Sequence, residues 1–378
     1  MNIGMLPALG GGLRELAASG QTARLVDGYF RPYAAAFGGV RYFSYLPERL
    51  EDFTTDPALL SRVRVLAPPR RMSRARRALA LPWAHADDLR ACAALRVFQI
   101  TGVLPAIIAR ARLGVPYVTT YGFWYARLSR PGPKRLLKAV VERVGLARAA
   151  AVIATTPELQ ARAARVARRV ELIPNGVDTA AFAPPPGGRA ARPGPRRILY
   201  VGRLSPEKNL STLVAAAATI AARAPVELVL VGSGPQEARL RAQAREAGVR
   251  VDFRGVVDQR ALPAVYAEAD AFVLASFTEG HPKVLLEAMS AALPCVASAC
   301  DGNRSLVSDG VTGLLFDPLR PAELAAGLGR VLGDDALAAR LGADARALVV
   351  ARYDLAATVA REIALVREIA GRPVDSHR

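Results

Sequence analysis

The feature that most constrains this chain is an alternation. A short apolar run meets a glycine-bearing turn and passes into a helical pattern, again and again. Val226–Val231 reads VELVLV, meets Gly232-Ser-Gly-Pro235, and leads into a helical Gln236–Ala247. Runs of four to eight branched apolar residues bounded by turn signals suit buried strands. Strands that alternate with helices predict a parallel sheet covered on both faces. Asn2–Leu6, Val40–Tyr45, Arg62–Leu66, Val97–Ile100, Tyr117–Thr120 and Ala151–Ala154 give the first half its strands, with helical pieces such as Pro133–Ala147 between most of them. The stretch 183–197, APPPGGRAARPGPRR, carries no periodicity and reads as a linker. The alternation then restarts with strands at Arg197–Val201, Val226–Val231, Val249–Arg254, Ala271–Ala275 and Pro294–Ala297. The expected layout is a first α/β domain over 1–178, a linker over 179–196, and a second α/β domain over 197–350. A closing helix over 351–371 is a candidate to pack back on the first domain. Ligands of such sheets bind outside the carboxyl ends of the strands, and the cleft between two such domains is the default site.

Composition narrows the class. Of 378 residues, 52% are hydrophobic, enough for two cores, yet no run approaches the ~18 apolar residues of a spanning helix. The start, MNIGMLPALGGG, lacks a signal-peptide pattern. Cys92, Cys295 and Cys300 show no metal-ligand spacing, which suits reduced thiols in a cytoplasmic protein. The net charge of +18 is lopsided. Residues 1–185 hold 27 Lys and Arg against 12 Asp and Glu, so +15 of it lies in the first half. Such asymmetry points to an anionic partner: a membrane surface, a nucleic acid or an acidic acceptor. Seven arginines fall between 62 and 77. A second basic stretch, Arg127, Arg130, Lys134, Arg135, Lys138, Arg143 and Arg148, interleaves with Leu136, Leu137, Val140, Val141 and Val144. That amphipathic pattern suits the inner face of an anionic membrane, or a solvated helix over a core stripe. Few aromatics accompany the arginines and no nucleic-acid motif is present, so nucleic acid is not expected.

Several stretches could carry chemistry. In Thr278–Ala288, TEGHPKVLLEA, Pro282 suits the first position of a helix. The amides near Lys283, Val284 and Leu285 would then favour an anion such as a phosphate. Glu279 lies in the loop ahead and Glu287 about one turn in, where each could take paired sugar hydroxyls. The same spacing also suits a plain Lys283–Glu287 pair at i, i+4. In Tyr200–Asn209, Gly202 ends a strand and Arg203 and Lys208 flank a turn, where two cations could neutralise a diphosphate. No Asp-x-Asp occurs, so no metal site is expected and the two cations would do a metal's work. Gly232 and Gly234 fit a phosphate loop or simple tight-turn geometry. Gly10, Gly11 and Gly12 follow the first strand, where they could admit a phosphate or sugar, or merely turn the chain. His85, His281 and His377 form no catalytic or zinc pattern, and His281 stands at the helix cap.

Taken in order, the motifs form a set. Pro174-Asn-Gly-Val-Asp178, Gly202-Arg-Leu-x3-Lys208, Val231-Gly-Ser-Gly-Pro235, Ala269–Ser276, Glu279-Gly-x6-Glu287 and Asp309-Gly-Val-Thr-Gly-Leu-Leu315 together resemble the GT-B retaining glycosyltransferases of family 4. The likeness is strong over about 150–350 and architectural before that. It implies two Rossmann-like doubly wound domains facing a central cleft, and transfer of a hexose from a nucleotide diphosphate sugar, UDP- or GDP-linked, with no cofactor or metal. It implies that Glu279 meets the transferred sugar and that Glu287 holds the ribose. Arg203 and Lys208 would stabilise the leaving diphosphate, with Gly202, Gly280, His281 and the Lys283–Leu285 amides around them, and Gly11 and Gly12 on the first domain. The acceptor would be a glycan or lipid-linked chain in cell-surface polysaccharide synthesis, with the protein cytoplasmic or peripheral on the membrane. Two positions depart from the pattern. Ser305 stands where relatives carry a glutamate, and Tyr121 where they often carry a histidine. Other readings are a silent sugar-nucleotide-binding scaffold, a nucleotide-sugar epimerase of the same fold, and a basic nucleic-acid-binding protein.

Overall fold

The structure, a computed structural model, describes residues 1–124, 132–187 and 194–371, leaving aside the side chain of Lys134. The expectations for Arg127, Arg130 and His377, and for residues 188–193 of the linker, lie outside the described residues. The chain divides into two compact units. One comprises Met1–Pro174 and the chain from Thr358 onward; the other is Asn175–Ala357.

Among the described residues the first unit holds seven parallel strands: β1 (Asn2–Leu6), β2 (Gly39–Phe43), β3 (Val63–Leu66), β4 (Cys92–Val97), β5 (Tyr117–Tyr121), β6 (Ala151–Ala154) and β7 (Val170–Leu172). Their order across the sheet is β3-β2-β1-β4-β5-β6-β7. The second unit holds six more: β8 (Arg196–Val201), β9 (Val226–Val231), β10 (Arg250–Gly255), β11 (Ala271–Leu274), β12 (Cys295–Ser298) and β13 (Leu314–Phe316). Their order is β10-β9-β8-β11-β12-β13, again all parallel. In each sheet the strand order therefore reverses once, between β1 and β4 and between β8 and β11. Right-handed crossovers then put helices on both faces.

Every residue of β9 is buried, including Glu227, the second residue of VELVLV. Register explains that carboxylate. Arg197 of β8 and Arg250 of β10 both lie opposite it, with nitrogens at 3.2 and 2.7 Å. A buried charge is tolerable when paired in this way.

Several elements and boundaries differ from expectation by more than a residue or two. β4 covers Cys92–Val97 rather than Val97–Ile100, because Arg96 is a buried strand residue. β7 and β13, three residues each, are too short to show periodicity. The first unit ends at Pro174, not 178, because Val177 bonds Tyr353 and Leu355 through its backbone and belongs with the second unit. The closing helix of 351–371 is in fact two pieces. Asp335–Arg352 ends before Tyr353, and Leu355–Gly371 starts anew with the Asp354 carboxylate accepting from the Ala357 amide.

From Thr358 on, that last helix is part of the first unit. Arg96 donates to Glu362 at 2.6 and 2.9 Å, with side-chain exposures of 2% and 8%. Its remaining donors reach Val97 O and Thr120 Oγ1. Arg169 grips Glu368 through two bonds of 2.7 and 2.9 Å.

Candidate active site

The site residues of the second unit gather at the carboxyl ends of β8, β11 and β12. β8 and β11 are neighbours in the sheet but far apart in sequence, so the loops that leave them meet at the point where strand order reverses, the place where ligands of such sheets bind. Lys208 leaves from β8 and Glu279 from β11. Lys208 Nζ lies 2.6 Å from Glu279 Oε1. Ser276 Oγ donates to the same oxygen at 2.6 Å. The two loops are also tied by the Phe277 amide, which donates to the Glu207 carbonyl.

The Glu279 turn rests on a small polar frame. Ser298 Oγ donates to the Ser276 carbonyl, and Asn303 Nδ2 donates to Ser298 at both its carbonyl and its hydroxyl. All three residues are fully buried. Gly302 sets the distance of closest approach. A Cβ there would stand 2.3 Å from the Gly280 carbonyl oxygen and 2.6 Å from that of Glu279. On the other side, Asn175 Nδ2 donates to the His281 carbonyl at 2.7 Å, which gives the Pro174–Asp178 motif a mechanical role. Sequence reasoning missed Ser276, Ser298, Asn303 and Asn175 as parts of the site. Asn175 and Ser276 lay within the motif set without a role, Ser298 showed only as a small polar residue closing an apolar strand, and Asn303 gave no signal.

The helix behind the turn runs from Lys283 to Ser290, with Pro282 at its N-cap. The first turn of any helix leaves its amides without i−4 partners. Lys283 and Val284 are half-buried, while Leu285 is fully buried. His281 is 6% exposed, its ring 5.5 Å from that of Tyr353, and its Nδ1 is buried without a partner. Burial, with Lys283 adding to it, pushes the imidazole down to about 3, so it is neutral at ordinary pH.

Glu287 is placed differently from the expected open carboxylate. It has no exposed surface. Gln259 Nε2 donates to one oxygen at 3.0 Å, and the Tyr266 hydroxyl lies 2.9 Å from the other. A ribose would have to take the place of the Gln259 amide.

Gly202 has φ +153°, and a Cβ there would meet the Tyr200 hydroxyl at 2.6 Å. Gly232 and Gly234 pack their backbones against this loop; a Cβ on Gly232 would stand 2.0 Å from Gly202 O. That favours the tight-turn alternative for the Gly-x-Gly motif. Arg203 is exposed, and its side chain makes no hydrogen bond or ion pair among the described residues. Ser305, at the departure from the family pattern, turns back to its own helix and donates to the Gly302 carbonyl.

In the first unit, the phosphate-loop expectation for Gly11 and Gly12 needs correction. The amides of Leu13 and Arg14, which open the helix after the glycines, are already filled by the buried Glu48 carboxylate at 2.8 and 2.9 Å. A Cβ on Gly12 would stand 2.7 Å from Glu48 Oε1. The glycines thus admit an internal anion. Tyr121 likewise does not present its hydroxyl, which is fully buried, donates to Glu142 and accepts from Arg162.

Comparison with known proteins bears on this geometry. The family model "Glycosyl transferases group 1" matches residues 188–348, and "Glycosyltransferase Family 4" matches residues 34–181. The chain is similar to a D-inositol 3-phosphate glycosyltransferase of Salinispora arenicola, 33% identical over 63% of this chain and 60% of that one. It is also similar to a GDP-mannose-dependent alpha-(1-6)-phosphatidylinositol monomannoside mannosyltransferase of Mycobacterium tuberculosis, 36% identical over 50% and 53%. The chain spans about half the length of the curated relatives it matches. Among solved structures, a sucrose-phosphate synthase from Thermosynechococcus elongatus superposes with a TM-score of 0.80 at 25% identity, covering 98% of this chain and 99% of that one. Two matched models, two parallel doubly wound sheets and the motif set in order agree: the chain belongs to the GT-B glycosyltransferases of family 4.

Proposed function

We propose that the chain moves a hexosyl group from a UDP- or GDP-linked sugar to a glycan or lipid-linked acceptor, with retention and without a metal. The Lys208–Glu279 pair at the carboxyl ends of β8 and β11 carries this reading. As the bond from C1 to the phosphate oxygen breaks, negative charge grows on the diphosphate. Lys208 and the unpaired Arg203 supply the counter-charge that a metal would. The diphosphate takes over the ammonium that Glu279 holds in the free protein. That releases the Glu279 carboxylate to the hydroxyls of the transferred sugar. The acceptor hydroxyl attacks C1 from the side the phosphate leaves, and its proton passes to the departing phosphate oxygen. The products are a glycoside of unchanged anomeric configuration and a nucleoside diphosphate. The mannosyltransferase among the relatives supports a hexosyl donor. A role in cell-surface polysaccharide synthesis, at the inner face of a membrane, completes the reading. Among the described residues, no helix is long and apolar enough to cross a membrane.

The test is release of nucleoside diphosphate from a panel of UDP- and GDP-hexoses, with and without chelator, and NMR of the product's anomeric centre. One donor should turn over, unaffected by chelator, and the product should keep its configuration. Glu279→Ala should lower turnover about 10²–10³-fold while nucleotide affinity changes only a few-fold. Normal turnover in that variant, or an inverted product, would overturn the proposal.

A further inference from the structure

The first unit carries a surface that its sheet does not need. Three helices, Arg74–Ala84, Leu104–Leu113 and Pro133–Arg148, lie side by side on one face of β1–β6. They share one core: Leu81, Ala106 and Leu146 pack with Leu95, Val97 and Val152. Arg96, between Leu95 and Val97, points to the opposite face, where it meets Glu362.

The outward side of this layer has one sign of charge. The three helices hold three, two and five lysines and arginines against a single carboxylate, Glu142; Arg77 turns inward to the Ser44 and Leu66 carbonyls and the Lys134 side chain is left aside, so eight cations at least partly face solvent. Glu142 is itself buried against Tyr121. On the short flanking helices, Asp87 pairs with Arg90, Asp88 with Arg41, and Glu158 opens Pro157–Ala163. The opposite face is mixed: Arg31 bonds Asp27 and Asp56, and Arg14 bonds Asp52.

The same side also exposes large apolar groups. Leu136, Leu137, Val140 and Val144 are 68%, 65%, 49% and 39% exposed and fall on one helical stripe, while Gly145 and Leu146 turn to the core. The apolar residues interleaved with the basic ones are thus largely an outward face, not a core stripe. Leu79 and Trp83, one turn apart on Arg74–Ala84, are 52% and 54% exposed, and the Arg112 guanidinium lies 4.4 Å above the Trp83 ring.

We propose that this helix layer lies flat on an anionic lipid bilayer. Leu136, Leu137, Val140, Leu79 and Trp83 would enter the headgroup boundary, with the surrounding arginines on the lipid phosphates. Only an amphipathic surface matches both halves of the observation. A nucleic acid would pair the cations but leave the leucines in water. Tryptophan favours the bilayer interface, and arginine reaches past a buried stem to the phosphates. This deepens the membrane part of the reading above, and its test scores lipid binding separately from transfer.

The full chain is sedimented with vesicles of phosphatidylcholine alone and of equimolar phosphatidylcholine and phosphatidylglycerol. It should bind only the second. Leu136→Ser with Leu137→Ser should weaken binding about tenfold or more. Arg135→Glu with Lys138→Glu should weaken it at least as much, since each cation near such a surface is worth about fivefold. Leu136, Leu137 and Lys138 are exposed and Arg135 only half-buried, so melting temperatures should stay near that of the parent protein. Tryptophan emission should shift to the blue on binding in Trp124→Phe but not in Trp83→Phe. No binding, equal binding to both vesicles, or unchanged binding of the double serine variant would overturn the proposal. So would retention of a DNA duplex in place of vesicles, or a dimer that the serine variant abolishes. Vesicle binding without turnover of any donor would sink the transfer reading and leave this one standing.

Discussion

Acidifying from pH 7 to 5 should destabilise the second unit by about 2 kcal/mol through His281 alone. The imidazole titrates near 6.5 when unfolded and is held down to about 3 in the folded protein by burial, with Lys283 adding repulsion. Above 6.5 both states are neutral and the group has no effect. Between 6.5 and 3 the unfolded chain binds a proton that the folded chain refuses, so stability falls as pH falls. Each unit in that window is worth about 1.36 kcal/mol, and the 1.5 units down to pH 5 give roughly 2 kcal/mol. Below 3 both states are protonated and the loss levels off. For a unit of this size the change lowers the melting temperature by about 4–8 °C. Other groups titrate in the same range, so the assay is a comparison. Calorimetry of the parent protein and of His281→Phe, which keeps an aromatic ring beside Tyr353, is run at pH 7 and pH 5. The parent should lose those extra degrees and the variant should not. Equal losses in both proteins would refute a neutral, buried His281.

Two further substitutions probe the frame. Gly302→Ala puts a Cβ 2.3 Å from the Gly280 carbonyl, so the Glu279 turn must move; turnover should fall at least tenfold with a stability loss of about 1–3 kcal/mol, and wild-type kinetics would show that the turn tolerates the shift. Glu362→Ala strands the buried Arg96 guanidinium and should cost about 3–5 kcal/mol in urea unfolding, whereas a loss below about 1 kcal/mol would mean that water reaches Arg96.

Much of the fold was legible because buried parallel strands are written as unbroken branched runs. Val226–Val231 and Ala151–Ala154 appear in the structure residue for residue. β4 was misplaced because Arg96 interrupts its run, and its partner Glu362 lies 266 residues away, beyond any local pattern. The site was legible as residue types at spacings. Glu279 and Lys208 do meet, and Arg203 stands exposed nearby. What spacing could not show was occupancy by the protein itself. Glu48 fills the amides behind Gly12, and Gln259 and Tyr266 cover Glu287. Tyr121 is spoken for by Glu142 and Arg162. Each is a long-range hydrogen bond made by a side chain that carries no motif.

The return of the last helix to the first unit has a consequence for synthesis. Residues up to Pro174 leave the ribosome first, with Arg96 already set in the fourth strand and its carboxylate not yet made. At roughly 5–20 residues per second, the wait from Pro174 to Glu362 lasts on the order of ten to forty seconds. Throughout that interval the nascent first unit holds an unneutralised cation beside Tyr29 and Tyr33. The second unit, contiguous from Asn175 to Ala357, has no such dependence and can complete its core as soon as it emerges. The half made first is therefore the half finished last, and a chain truncated before the final helix should leave the ribosome with a mature second unit and a first unit that chaperones still recognise.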